Sequence, residues 1–106
     1  MAKFLIRANY KPEGVKGLMK EGGTGRRKAV EGMTAAWGGK VEAFYYAFGD
    51  ADAILIIDAP DNVTAAAVSM AVNASGLVST VTMPLLTPEE IDQAAKKSVT
   101  YRAPGQ

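Results

Sequence analysis

Alternating apolar and polar residues open the chain. From Lys3 to Tyr10, the side chains of Phe4, Ile6, Ala8 and Tyr10 share one face, and Leu5, Arg7 and Asn9 share the other. This period of two predicts a first strand, closed off by Pro12. One apolar and one mixed face suit a sheet that helices cover on a single side. Pro12 to Lys20 predicts a helix, with proline in its first turn and Val15, Leu18 and Met19 at helical spacing. Gly22-Gly23 interrupts it. Thr24 reads as the N-cap of a second helical piece that reaches Trp37, with Val30, Met33, Thr34 and Trp37 on one face and Gly38-Gly39 as its end.

The remaining elements are read in the same way. Lys40 to Phe48 predicts a second strand rich in aromatic residues, and Gly49-Asp50-Ala51 a tight connection. Asp52 to Ala59 predicts a third strand, apolar on both faces through Ala53-Ile54-Leu55-Ile56-Ile57, which marks a central position. Asp61 caps a helix that runs to about Ser75, before Gly76, and Leu77 to Leu86 is the fourth strand. Thr87-Pro88-Glu89-Glu90 is a capping box that starts a last helix, acidic early and carrying Lys96 and Lys97 late. The order β-α-β-β-α-β plus a C-terminal helix is the ferredoxin-like, split βαβ pattern of the α+β class. Right-handed crossovers then give a four-stranded antiparallel sheet with strands one and three in the middle. Residues 1–106 form one domain, with an extended tail over residues 99–106.

Two features predict self-association. One sheet face would be bare, showing Leu5, Phe44 and other bulky groups beside Arg7 and Asn9. The helix after Asp61 is apolar all round, with Val63, Ala66, Ala67, Met70 and Ala74 in one stripe and Val68 and Val72 opposite. A helix of that kind is buried on every side. Either a second copy covers these surfaces, in a homodimer or higher oligomer, or the C-terminal helix covers Val68 and Val72 within the chain.

Composition removes whole classes of chemistry. The chain of 106 residues has neither Cys nor His, which excludes a thiol nucleophile, a disulfide framework, a structural zinc site and a Ser-His-Asp triad. No EF-hand loop is present, so neither metal nor cofactor is expected. A net charge of +1, with Arg26-Arg27-Lys28 as the one basic cluster, gives no footprint for nucleic acid. No apolar run approaches a membrane span, and the one at the N-terminus is too short for a signal peptide, so a cytoplasmic location is expected.

Arg26 is the sharpest candidate. It falls between Val30, Met33 and Trp37 on the apolar stripe, where an unpaired cation is costly. It pairs with Asp50, Asp52 or Glu42, or snorkels to water from the first turn, or completes an anion site with Thr24 and the backbone N–H groups of the glycine-rich turn. Asp50 and Asp52 stand two residues apart, placed either to act as base and orienter or simply to make the turn. Glu42, Phe44, Tyr46 and Phe48 share a face, a set that suits a flat apolar ligand with a polar handle or ordinary core packing. Arg7 and Asn9 need partners on the mixed face or line a cavity there. Asp50, Asp52 and Tyr46 are thus the catalytic candidates, and Arg26, Thr24, Arg7, Asn9 and Glu42 the ligand-binding ones.

Taken together, Glu21-Gly22-Gly23-Thr24-Gly25-Arg26-Arg27, Gly39-Lys40-Val41-Glu42-Ala43-Phe44-Tyr45, Phe48-Gly49-Asp50-Ala51-Asp52 and Leu85-Leu86-Thr87-Pro88-Glu89-Glu90 resemble the GYD-domain family over nearly the whole chain. The resemblance implies the dimeric α/β-barrel superfamily, whose members include cofactor-independent monooxygenases, lactone isomerases and small-molecule-sensing domains. The family's own function is largely uncharacterised. This chain departs from the motif at Ala51, where Tyr is expected. The expectation is a small-molecule-binding homo-oligomer, either a metal-independent enzyme or a non-catalytic sensor or assembly scaffold.

Overall fold

The computed structural model describes residues 1–47 and 49–106. Its elements are β1 (Ala2–Tyr10), α1 (Pro12–Glu21), α2 (Gly23–Ala36), β2 (Lys40–Tyr46), β3 (Ala53–Ala59), α3 (Asn62–Ala74), β4 (Val78–Leu85) and α4 (Pro88–Ala95). All three strand pairings are antiparallel, in the order β2-β3-β1-β4. This is the ferredoxin-like α+β arrangement, with β1 and β3 central as the apolar pattern of β3 predicts. The part of the second strand assigned to Phe48 lies outside the described residues.

Strand register sorts the side chains. Phe4 opposes Ile57, Ile6 opposes Leu55 and Ala8 opposes Ala53, and these residues face the helices. Phe4, Ala8, Ala53, Leu55, Ile57, Ala59 and Ala65 form the buried core. Most of these are alanine, and Phe4 is the one aromatic among them, so the core is thin. The opposite face presents Leu5, Ile54, Ile56, Val81 and Met83 around Arg7. Phe44, expected on this face, instead opposes Leu55 and packs on the helix side, beyond an irregularity in β2 between Val41 and Ala43. At one end of that face Lys3 Nζ donates to Glu42 at 2.6 Å and to Asp58 at 2.9 Å.

Helix ends follow sequence chemistry at two of the predicted sites. The Asp61 carboxylate accepts from the Thr64 amide at 2.7 Å, and Thr87 and Glu90 form the reciprocal capping box. The α1–α2 junction differs from expectation. Gly22, at φ 82, occupies the break, and α2 already begins at Gly23, which places Thr24 inside the first turn rather than at the cap. Only glycine adopts this φ without strain, so the break falls where the backbone is freest. At the other end, a Cβ on Gly39 would stand 2.6 Å from the Asp58 carbonyl oxygen, so the entry to β2 also requires glycine.

The face of α3 is the second correction. Ala65 is buried, with Val68, Ser69 and Val72 half-buried, whereas Val63 and Met70 are strongly exposed. The stripe through Val63, Ala66, Ala67, Met70 and Ala74 therefore looks outward, and the Val68–Val72 side meets the sheet. An all-apolar helix has no polar face from which to read its orientation. Residues of α4 are all exposed, and α4 has at most marginal contact with the rest of the fold, so it does not cover Val68 and Val72. The radius of gyration is 16.8 Å, against about 13 Å for a compact chain of this length.

Candidate functional site

The helices α2 and α3 do not close on each other. The first packs on α1 and β2, the second on β4 and β3, and the space left between them over the sheet is a cavity of about 120 Å³. Ile6, Ala8, Phe44 and Leu55 form its floor, Val30, Met33 and Trp37 one wall, and Ala65, Val68 and Val72 the other. The hydroxyls of Thr34 and Thr80 on this surface have partners: Thr34 donates to the Val30 carbonyl at 2.7 Å, and Thr80 accepts from Asn73 at 2.8 Å. A second hollow of about 360 Å³ lies towards α1, lined by Glu13, Leu18, Glu21 and Leu77. The two share Tyr10, Arg26, Met33, Val72 and Val78, which form the waist between them.

Arg26 is the one charged residue of the inner cavity among the described residues. It is half-buried and makes no ion pair with a carboxylate among them. The expected partners are engaged elsewhere or exposed: Glu42 by Lys3, Asp52 by the Tyr10 amide at 2.8 Å, while Asp50 is exposed. The Asp52 amide in turn donates to the Ala8 carbonyl at 2.9 Å, so Asp52 extends the β1–β3 ladder beyond its last residue pair. Ala51 beside it is buried.

Two phenols accompany Arg26. Burial raises the pKa of Tyr10, and the guanidinium of Arg26 beside its hydroxyl works in the opposite direction. Burial likewise raises Tyr46. Both phenols therefore remain protonated at neutral pH and offer an O–H, not a base. Tyr46 donates its hydrogen to the Gly23 carbonyl at 3.0 Å, and its ring stacks at a tilt on Phe44 with centroids 5.2 Å apart. That contact fixes the start of α2 over the edge strand, and so fixes where Arg26 enters.

The site thus brings Arg26 and Tyr46 together around Tyr10 and leaves the other candidates apart. Thr24 is exposed in the first turn of α2, and the Gly22 amide is already bonded to the Leu18 carbonyl at 2.7 Å. Arg7 and Asn9 belong to the opposite sheet face, and Glu42 is held at its end by Lys3. No group of three or more acidic residues able to hold a metal ion occurs among the described residues. Sequence reasoning missed Tyr10 as a site residue. Its signal was present: a phenol on the helix-facing side at the very end of a central strand.

The fold and the site define an α+β domain of split βαβ topology with a helix-side cavity entered past one arginine. A family model described as the GYD domain matches residues 4–95. The chain belongs to the GYD domain family. No curated protein and no solved structure gives a significant match. No helix among the described residues is long and apolar enough to cross a membrane.

Proposed function

We propose that the protein is a small-molecule-binding domain whose site is the cavity between α2, α3 and the sheet. One observation carries this reading: a half-buried arginine with no carboxylate partner among the described residues is the one charged group on a mostly apolar cavity wall. A structural arginine fully removed from water would bring its counter-charge with it, whereas Arg26 is half-buried and stands where both water and a ligand reach it. A ligand-binding arginine is left open for the ligand.

Binding without catalysis is the better-supported form. The inner cavity has no carboxylate on its wall, two of its three threonines, Thr34 and Thr80, are bonded, and the nearby phenols are held protonated. A general base is therefore lacking where an apolar substrate would sit. We further propose that the working form is a homo-oligomer joined through the bare sheet face, since Leu5, Ile54, Ile56 and Val81 surround Arg7 there with no helix across them.

A thermal-shift screen of small organic molecules tests the binding reading. A ligand at a hundredfold excess over its Kd stabilises by about 2.7 kcal/mol, which for a domain of this size raises Tm by on the order of 10 °C. Val68→Phe, which fills the inner cavity, is expected to abolish that rise while leaving the free protein folded. A hit whose shift survives Val68→Phe binds somewhere else and overturns the assignment.

A further inference from the structure

The same cavity, once read as a ligand site, also limits the chemistry of its occupant. Resting on that reading, we infer that it takes a one-ring aromatic monocarboxylate, with the ring in the inner hollow and the carboxylate at the waist on Arg26 and the Tyr10 hydroxyl.

Size sets the body of the ligand. The inner hollow measures about 120 Å³, and an apolar cavity of about 150 Å³ holds one benzene molecule. A single ring fills it and a fused pair does not. Trp37, Phe44 and Tyr10 line it together with branched aliphatic side chains. Such walls favour a flat ring through tilted and edge contacts, worth about 0.5–1.5 kcal/mol beyond area alone.

Charge sets the head group. Arg26 is the only cation at the waist among the described residues, and the outer hollow beyond it carries Glu13 and Glu21. Glu13 is paired with Lys16 at 3.1 Å, so Arg26 faces one carboxylate without an ion pair among the described residues, Glu21, and a phosphate dianion meets stronger repulsion there than a carboxylate does. The guanidinium fork matches a carboxylate with two parallel N–H donors, and the protonated Tyr10 hydroxyl supplies a third. A neutral head group would leave Arg26 without a counter-charge.

The chain contains a single tryptophan, Trp37, and it lines the inner hollow, so its fluorescence reports occupancy directly. Benzoate, benzyl alcohol and inorganic phosphate are titrated against the full chain at fixed ionic strength. Benzoate is expected to quench Trp37 saturably and at least tenfold more tightly than benzyl alcohol, and phosphate not to quench it at all. Arg26→Met is expected to remove that tenfold preference for benzoate. The comparison of the two ring compounds in the unmodified protein stands even if the variant fails to fold. Equal affinity for benzoate and benzyl alcohol overturns the carboxylate inference and leaves the cavity as a binding site. Tighter binding of phosphate than of benzoate also overturns it. If neither ring compound perturbs Trp37 nor raises Tm, this inference is wrong, while the binding reading on which it rests stands or falls by the wider thermal-shift screen and Val68→Phe.

Discussion

At the scale of single residues, the site is defined by which polar groups are already engaged. Asp52 illustrates this. Its carboxylate accepts from the Tyr10 amide, so its first role is to finish the pairing of β1 with the start of β3. Asp52→Ala leaves that partly buried amide without a partner and is expected to cost about 1–3 kcal/mol, whereas Asp52→Asn keeps a carbonyl acceptor and is expected to cost less. Urea denaturation of the two variants checks this order. Equal losses would show that the charge of Asp52, not its acceptor oxygen, matters. Tyr10 and Asp61 extend the same reasoning to pH. The folded pKa of Tyr10 is raised, so its stabilising contribution is complete below the unfolded phenol value near ~10 and is lost as pH climbs through the folded value. Asp61 is the reverse. The Thr64 amide lowers its pKa, so the cap contributes above the unfolded carboxylate value near ~4 and fades as pH falls through the lower folded value. Tm measured across pH is thus expected to drop at both ends. Asp61→Asn, itself a good cap, should flatten only the acidic limb, and Tyr10→Phe only the alkaline one.

At the scale of elements, the central strands were legible, whereas the face of Phe44 in β2 and the helix faces were not. Strict alternation through β1 and the double-sided apolar run of β3 carry enough information to fix which residues face the helices, and the observed register Phe4–Ile57, Ile6–Leu55, Ala8–Ala53 agrees with it. The caps at Asp61 and Thr87 were legible for the same reason: the chemistry is local. The orientation of α3 was not, because Val and Ala residues occupy every side of it and periodicity then has no polar stripe to set against the apolar one. The cavity was invisible too. It exists because α2 and α3 stand apart, a tertiary spacing that no residue in either helix encodes alone. Arg26 was legible as an anomaly on an apolar stripe, but its lack of an ion pair depends on Lys3 holding Glu42 and on Tyr10 holding Asp52, both long-range facts. The corrected orientation of α3 is directly testable. Met70→Lys, on the outward side, is expected to change stability by no more than about 0.5 kcal/mol. Val68→Lys places a charge in the cavity and is expected to cost about 3 kcal/mol or more. The opposite order in denaturant melts would return α3 to the face that its sequence stripe suggested.

At the scale of the whole molecule, the isolated chain is an uneconomical shape. Its core is thin, its sheet is covered on one side, and its extents of 55 × 33 × 23 Å include a C-terminal helix and tail that pack on little of their own chain. Val81 is 56 % exposed and Tyr45 71 % exposed on the bare side, and Leu86, Ile91, Val99 and Tyr101 are bare along the C-terminal segment. A domain of about a hundred residues has little core to spare, so leaving this much apolar surface in water is a cost that a second copy removes without new sequence. Arg7 fits the same account: at the centre of the bare face it has no carboxylate within ion-pair distance among the described residues, and a partner's surface can supply one. Sedimentation equilibrium is therefore expected to return a multiple of the 11.1 kDa chain mass. Val81→Lys sets a charge on the middle of that face at an edge strand, where the lone fold loses nothing by it. The variant is expected to shift the distribution towards monomer and to lower Tm in a concentration-dependent way. A native chain that stays monomeric at tens of micromolar, with Val81→Lys melting at the same temperature as the parent, would mean that the sheet face is simply tolerated in water. The cavity between α2 and α3, which is built on the other side of the sheet, would be untouched by that result.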